Sequence, residues 1–242
     1  MISMSNVSVH SDKGVRSNNE DRASCALHPE FGGLLVVADG MGGHEGGEVA
    51  SDIVVKSLTA SFKVNGYNGS TEALINAIDQ AHQCVLQQAE ESPEIRGMGS
   101  TLLAVVLLPT KAVVANVGDS RAYQFREDCV RRLTVDDLYI SQLLGIDDRV
   151  ARKHPQGHVL SQAIGAETGI SPSVHTFDLQ PGDTFVLCTD GVHEVLTEPT
   201  MRGIIDQSTP TTAAEQLVFA ALRAGSNDNC TAIVARIPGE LG

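Results

Sequence analysis

The sequence predicts an α+β fold in which long helices lie outside stacked, mostly antiparallel sheets. Three observations carry that reading. Short, wholly apolar runs such as Leu34–Ala38 stop at turn residues, as strands buried on both faces do. The long amphipathic stretches come in pairs instead of one after each strand. The strand signals cluster in blocks, so the strict alternation of a parallel Rossmann sheet is missing.

In order, "ISMSNVSVHSD" alternates as a half-buried strand, and "GLLVVAD" reads as a short buried one. From Glu45 to Phe62 apolar residues fall at helical spacing (Val49, Ile53, Val54, Leu58, Phe62), and a second helix runs from Thr71 to about Glu91. "STLLAVVLLPTKAVVANVGD" is two apolar strands about a Pro-Thr-Lys turn, and "SRAYQFREDCVRRLT" is a hairpin turning at Glu127-Asp128. Residues 137 to 170 are shorter in period and more polar, a small helical excursion carrying a mobile loop. "DTFVLCTDG" is a buried strand ending on Asp-Gly, "TMRGIIDQ" and "TAAEQLVFAALRAG" are helices, and "CTAIVARI" closes the chain as a strand. No linker, repeat or low-complexity segment divides residues 1–242, which read as one domain.

Composition narrows the function. A net charge of −13 argues against a nucleic-acid or anionic-membrane partner, since both need clustered Lys and Arg. The five cysteines are odd in number, widely spaced and without a C-x-x-C pair, which disfavours a disulfide framework or zinc cage. The start lacks the pattern of a secretory signal, and the longest apolar run, "LLAVVLL", is far short of a membrane span. These features predict a cytoplasmic protein.

The chemistry lies in the acids. Asp39-Gly40 ends one apolar run and Asp190-Gly191 another; Asp228 precedes the last strand, Asp119 sits at a corner between two strands, and Glu20 and Asp21 follow the first strand. Singly, each is an ordinary turn residue. Gathered at one end of a sheet they would repel one another unless cations neutralised them, and carboxylates with carbonyls and water suit Mg²⁺ or Mn²⁺. Five glycines at 40, 42, 43, 46 and 47 follow Asp39, which lets the Gly40 carbonyl approach an ion and keeps the rim low for a bulky substrate. The loop is neither a Walker loop, which needs Gly-Lys-Ser/Thr, nor a dinucleotide loop, because Glu45 stands where the last Gly should fall. Arg16, four residues before Glu20, is placed to grip a dianion beside such a cluster.

"VRSNNED", "VVADGMGGHEGGE", "GSTLLAVVL", "ANVGDSRAY", "RLTVDD", "LCTDGVHEVL" and "GSNDNCTAIVARI", in that order, resemble the PP2C-type (PPM) metal-dependent protein serine/threonine phosphatases, above all their compact bacterial members. The resemblance covers residues 5 to 237 and implies an α-β-β-α sandwich with a binuclear metal centre at one end. It implies Asp39 as bridging ligand, the Gly40 carbonyl as a further ligand, Asp190 and Asp228 on the first ion, and Glu20 with Asp21 supporting the second. Asp119 with Asp190 corresponds to a third, weaker ion in some relatives, and Arg16 to the phosphate ligand. Residues 139–170 correspond to a flap over the site. The implied reaction is in-line attack by a metal-activated water on phosphoserine or phosphothreonine, with no phosphoenzyme.

Met41 stands where many eukaryotic relatives carry the His proposed as general acid, which leaves the proton donor to the leaving serine unassigned. His44 and a metal-bound water are the two candidates. His154, His158 and His193 have no evident partners and are expected on the surface or in packing. The implied partners are phosphorylated proteins and an opposing Ser/Thr kinase, and the chain is expected to be a monomer. Two other readings compete, a catalytically silent phosphoprotein-binding relative and a two-metal hydrolase of small phosphate esters. Silent relatives tend to lose metal acids, and this chain has the full set.

Overall fold

The computed structural model describes residues 6–28, 30, 32–42, 46–67 and 70–239. Among the described residues eleven strands form two sheets whose paired strands are all antiparallel. In the first sheet the order is β1 (Val7–Asp12), β11 (Cys230–Arg236), β10 (Thr184–Cys188), β7 (Arg121–Arg126), β8 (Cys129–Arg132). In the second it is β2 (Asp21–His28), β3 (Gly32–Met41), β5 (Leu102–Leu107), β6 (Lys111–Val117), β9 (Ser173–Asp178), with the two-residue β4 (Gly99–Ser100) on the end of β3.

The apolar runs explain how the layers stack. Successive strand residues face opposite ways, so Leu35 and Val37 of β3 meet Phe185, Leu187, Ile233 and Ala235 between the sheets. Leu34, Val36 and Ala38 face outward instead, onto α1 (Gly46–Asn65) and α2 (Thr71–Glu91), where Val54, Leu58, Leu74 and Ile78 close over them. On the far side Val186 and Cys188 pack under α7 (Ala213–Arg223), with α6 (Glu198–Gln207) alongside. Each fully covered Leu, Ile or Phe contributes about 1.5–3 kcal/mol. Central strands here have no wet face, which is why they read as unbroken apolar runs. The result is the expected α-β-β-α sandwich.

The sequence expectations depart from the fold in four places. β2 and β9 were not expected as strands; they are sheet-edge strands of mixed polarity and partial exposure, so they carry no apolar run. β3 does not stop at Asp39 but continues to Met41, paired there with β4. Asp190 does not end a strand: β10 closes at Cys188 and Asp190 opens the short helix α5 (Asp190–His193). Residues 137–170 do fold into a helical excursion, with α3 (Tyr139–Leu144) and α4 (Asp148–Ala151) around a small core of Leu138, Ile140 and Ala151. Among the described residues no helix is long and apolar enough to cross a membrane.

Candidate metal centre

Both sheets deliver acids to the same end of the sandwich. Asp21 is the first residue of β2 and lies directly across the ladder from Asp39 of β3. Asp119 turns the chain from β6 into β7, Asp190 follows β10, and Asp228 precedes β11. A cleft of about 630 Å³ opens there, lined by Arg16, Glu20, Asp39, Gly40, Asp119, Asp190 and Asp228, with His158 and Leu160 on its flank. Asp21 is buried in the floor.

Asp39 is held by its backbone. Its N–H donates to Thr101 Oγ1 (2.9 Å), and its carbonyl accepts from Thr101 N–H (2.8 Å) and Ser100 Oγ (3.1 Å). Beneath it Thr189 Oγ1 donates to Asp21 Oδ2 (2.8 Å) while accepting from Thr231 N–H, which ties Asp21 to the other sheet. Asn229 fixes the loop bearing Glu20: its Oδ1 accepts from Glu20 N–H and its amide donates to the carbonyls of Lys13 and Asn18.

The glycines after Asp39 serve packing as much as access. A Cβ on Gly40 would collide with the Gly47 carbonyl and lie 2.8 Å from that of Glu20. On Gly47 it would lie 2.6 Å from Glu20 Oε2. The end of β3, the start of α1 and Glu20 therefore meet with no room for side chains. Gly40→Ala is expected to cost about 1–3 kcal/mol of stability and to weaken Mn²⁺ uptake as well; an unchanged melting temperature and Mn²⁺ affinity would contradict this packing role.

Electrostatics mark the cluster as built for cations. Burial first, then the charges of Asp21, Asp190, Asp119 and Asp228, push Asp39 well above the usual carboxylate range. Burial pushes Asp21 up to about 6, and burial with the Asp119 and Asp228 charges pushes Asp190 up to about 7. Like charges across a ladder destabilise it. Asp21 Oδ1 and Asp190 Oδ1 are buried without a hydrogen-bond partner, a costly state unless a ligand takes them up. Among the described residues no three acidic, His or Cys side chains by themselves form a ligand cage. The donors that line the cleft are hard oxygens, which suit Mg²⁺ or Mn²⁺.

Residues 10–224 match the family described as protein phosphatase 2C. The chain belongs to the protein phosphatase 2C family. It is 32% identical over 238 residues to the serine/threonine phosphatase stp of Listeria innocua, covering 92% of each chain. The catalytic domain of the phosphatase PstP in complex with two manganese ions is 30% identical and superposes with a TM-score of 0.82, over 96% of this chain and 97% of that one. The Ser-Thr phosphatase MsPP of Mycobacterium smegmatis, in complex with cacodylate, is 30% identical with a TM-score of 0.80, over 96% and 97% of the two chains. As a member of this family the chain takes Mn²⁺ or Mg²⁺ as cofactor.

Of the predicted site residues, Arg16, Glu20, Asp39, Gly40, Asp119, Asp190 and Asp228 share the cleft and Asp21 underlies it. His44 lies outside the described residues. Arg16 donates to Asp228 Oδ2 (2.8 Å) and to the Asn227 carbonyl (3.0 Å) at the cleft mouth, which uses two of its five N–H donors. Two of the three remaining histidines are placed in packing or on the surface as expected, but each has a partner that the sequence did not show. His193 is buried with Nε2 3.0 Å from the Asp119 carbonyl, and His158 lines the cleft beside Glu194. Thr101, Thr189 and Asn229 were missed as functional residues. Their only signal in the sequence is that Thr189 and Asn229 adjoin Asp190 and Asp228, and that Thr101 falls two residues after Gly99.

Proposed function

We propose that the chain hydrolyses phosphoserine and phosphothreonine in proteins at a binuclear Mn²⁺ or Mg²⁺ centre held by Asp39, Gly40, Asp190 and Asp228, with Glu20 and Asp21 in support. The observation that carries this reading is the placement of Asp21 opposite Asp39, buried and repelling, with an unpartnered oxygen beneath the cleft. When bound, the ions lower the pKa of a water and neutralise charge on the phosphoryl group. The chain's own residues do the positioning. Thr101 and Ser100 fix Asp39 by its backbone, and Thr189 fixes Asp21 by its carboxylate, so little reorganisation accompanies reaction.

Arg16, held at the cleft mouth, presents its remaining donors to the phosphate of an arriving side chain. Arg16→Ala is expected to raise KM for a phosphothreonine peptide by about tenfold with kcat within a few-fold, because it removes ground-state binding. An unchanged KM in steady-state kinetics would contradict the clamp.

The substrate class is read as protein because the cleft is open and flanked by residues 139–170, which serve as the flap of a single catalytic domain. An opposing Ser/Thr kinase is the corresponding partner, and we place the chain as a monomer in the cytoplasm. The absence of a disulfide among the described residues supports a reducing compartment. The test compares kcat/KM for a phosphothreonine peptide with that for p-nitrophenyl phosphate, both with Mn²⁺. Remote contacts made by the peptide should raise its value; a higher value for the small ester would favour the small-ester hydrolase.

A further inference from the structure

Of the cleft acids, Asp119 differs from the rest in one respect. It already has a fixed, buried cation. Arg152 caps the C-terminus of α4 on the flap, and its Nη2 donates to Asp119 Oδ2 at 2.9 Å. The same Nη2 donates to Asp136 Oδ2 (2.8 Å), and Nη1 donates to Glu194 Oε1 (3.1 Å). The Arg152 side chain is 13% exposed and that of Asp119 is 7% exposed. The Arg16–Asp228 pair, at 56% and 40%, is by contrast open to water and to competing ions.

A guanidinium cannot be titrated away, and its planar fork suits several carboxylates at once. This one is also held in place from behind. Asp136 is gripped in bidentate fashion by Arg121 (3.0 and 2.7 Å) and also by Arg132. Asp148, in α4 itself, pairs with Arg132 and accepts from Asp136 N–H. The Asp119 backbone is fixed independently, by His193 Nε2 on its carbonyl. Both partners of the Arg152–Asp119 pair are therefore preorganised by other groups.

We propose that Arg152 is the resident cation of Asp119: Asp119 anchors the flap through it and does not ligate a metal ion in this chain. This rests on the metal-centre reading above. Arg152 already offsets the Asp119 charge and occupies Oδ2, so flap docking through Arg152 disfavours cation uptake at Asp119. His158, whose Nδ1 is 3.5 Å from Arg152 Nη1 and 3.2 Å from Glu194 Oε1, is carried against the cleft by the same anchor.

The test counts Mn²⁺ ions bound at pH 7.5 by equilibrium dialysis of the full chain, for wild type, Asp119→Asn, Arg152→Gln and the double variant. Wild type and Asp119→Asn are expected to bind the same number. Arg152→Gln is expected to bind one more, at least about tenfold tighter than any additional ion on wild type, and the double variant should lose it. Asp136 keeps two arginines in Arg152→Gln, so the flap base should stay folded. Should circular dichroism show otherwise, the wild-type and Asp119→Asn pair still decides. One ion fewer in Asp119→Asn, or no gain in a folded Arg152→Gln, would overturn the proposal while leaving the metal centre standing. No Mn²⁺ bound by any chain would overturn both.

Discussion

Phosphate release by an Asp39→Asn chain is expected to fall at least about 10³-fold with Mn²⁺ present, a loss of several kcal/mol of transition-state stabilisation. Asp39 sits where both sheets converge and meets the charges of four other carboxylates. An amide there would remove an anionic oxygen proposed to hold the ions. The substitution should leave the fold intact, because the hydrogen bonds that hold residue 39 are made by its backbone. Without metal the variant should even melt higher than wild type at neutral pH, since one buried repelling charge is gone. Kinetics and thermal melts on the same samples check both. Activity within a few-fold of wild type would remove Asp39 from the bridging role.

The second large effect is a dependence of metal-free stability on pH. A carboxyl whose pKa is higher in the folded chain binds its proton more tightly when folded. Its effect is absent below the unfolded value near 4, and stability falls as pH rises from there through the folded value. The folded values are about 6 for Asp21 and about 7 for Asp190, with Asp39 also raised. In EDTA the melting temperature should therefore drop between pH 5 and 7.5, on the order of 10 °C for a chain of this size. Mn²⁺ at about a hundred times its Kd should add roughly 3 kcal/mol at pH 7.5 and much less at pH 5, where the ligands keep their protons. The Asp39→Asn chain should show a shallower drop. A melting temperature in EDTA that rises over this range would contradict the account of the cluster.

How much of this was legible in the sequence depends on whether its cause is local. Leu34–Ala38 and Leu102–Leu107 announce themselves because both faces of those strands are covered, leaving no polar position in the run. β2 and β9 are silent because an edge strand keeps one side wet and can be built from Ser, Cys, His and Thr. Asp39, Asp190 and Asp228 stand out beside glycine or asparagine next to buried runs. Their arrangement, and Asp21 facing Asp39 across a ladder, depends on β2 pairing and could not be read. Asp190 shows the limit of local pattern: the same Asp-Gly that continues a strand at 39–40 opens a helix at 190–191. Arg152 is least legible of all. Its meaning comes from α4 folding back on a turn 33 residues earlier in the chain.

The central claim is that acids gathered at one end of two stacked sheets hold the ions needed to hydrolyse phosphothreonine. The most direct test is phosphate release from a phosphothreonine peptide with Mn²⁺, with Mg²⁺ and with EDTA, for wild type beside Asp190→Asn. The account predicts release with either metal, none in EDTA, and a loss of at least about 10²-fold in the variant. Release that persists in EDTA, or a folded wild-type chain that releases nothing with either metal, would contradict it.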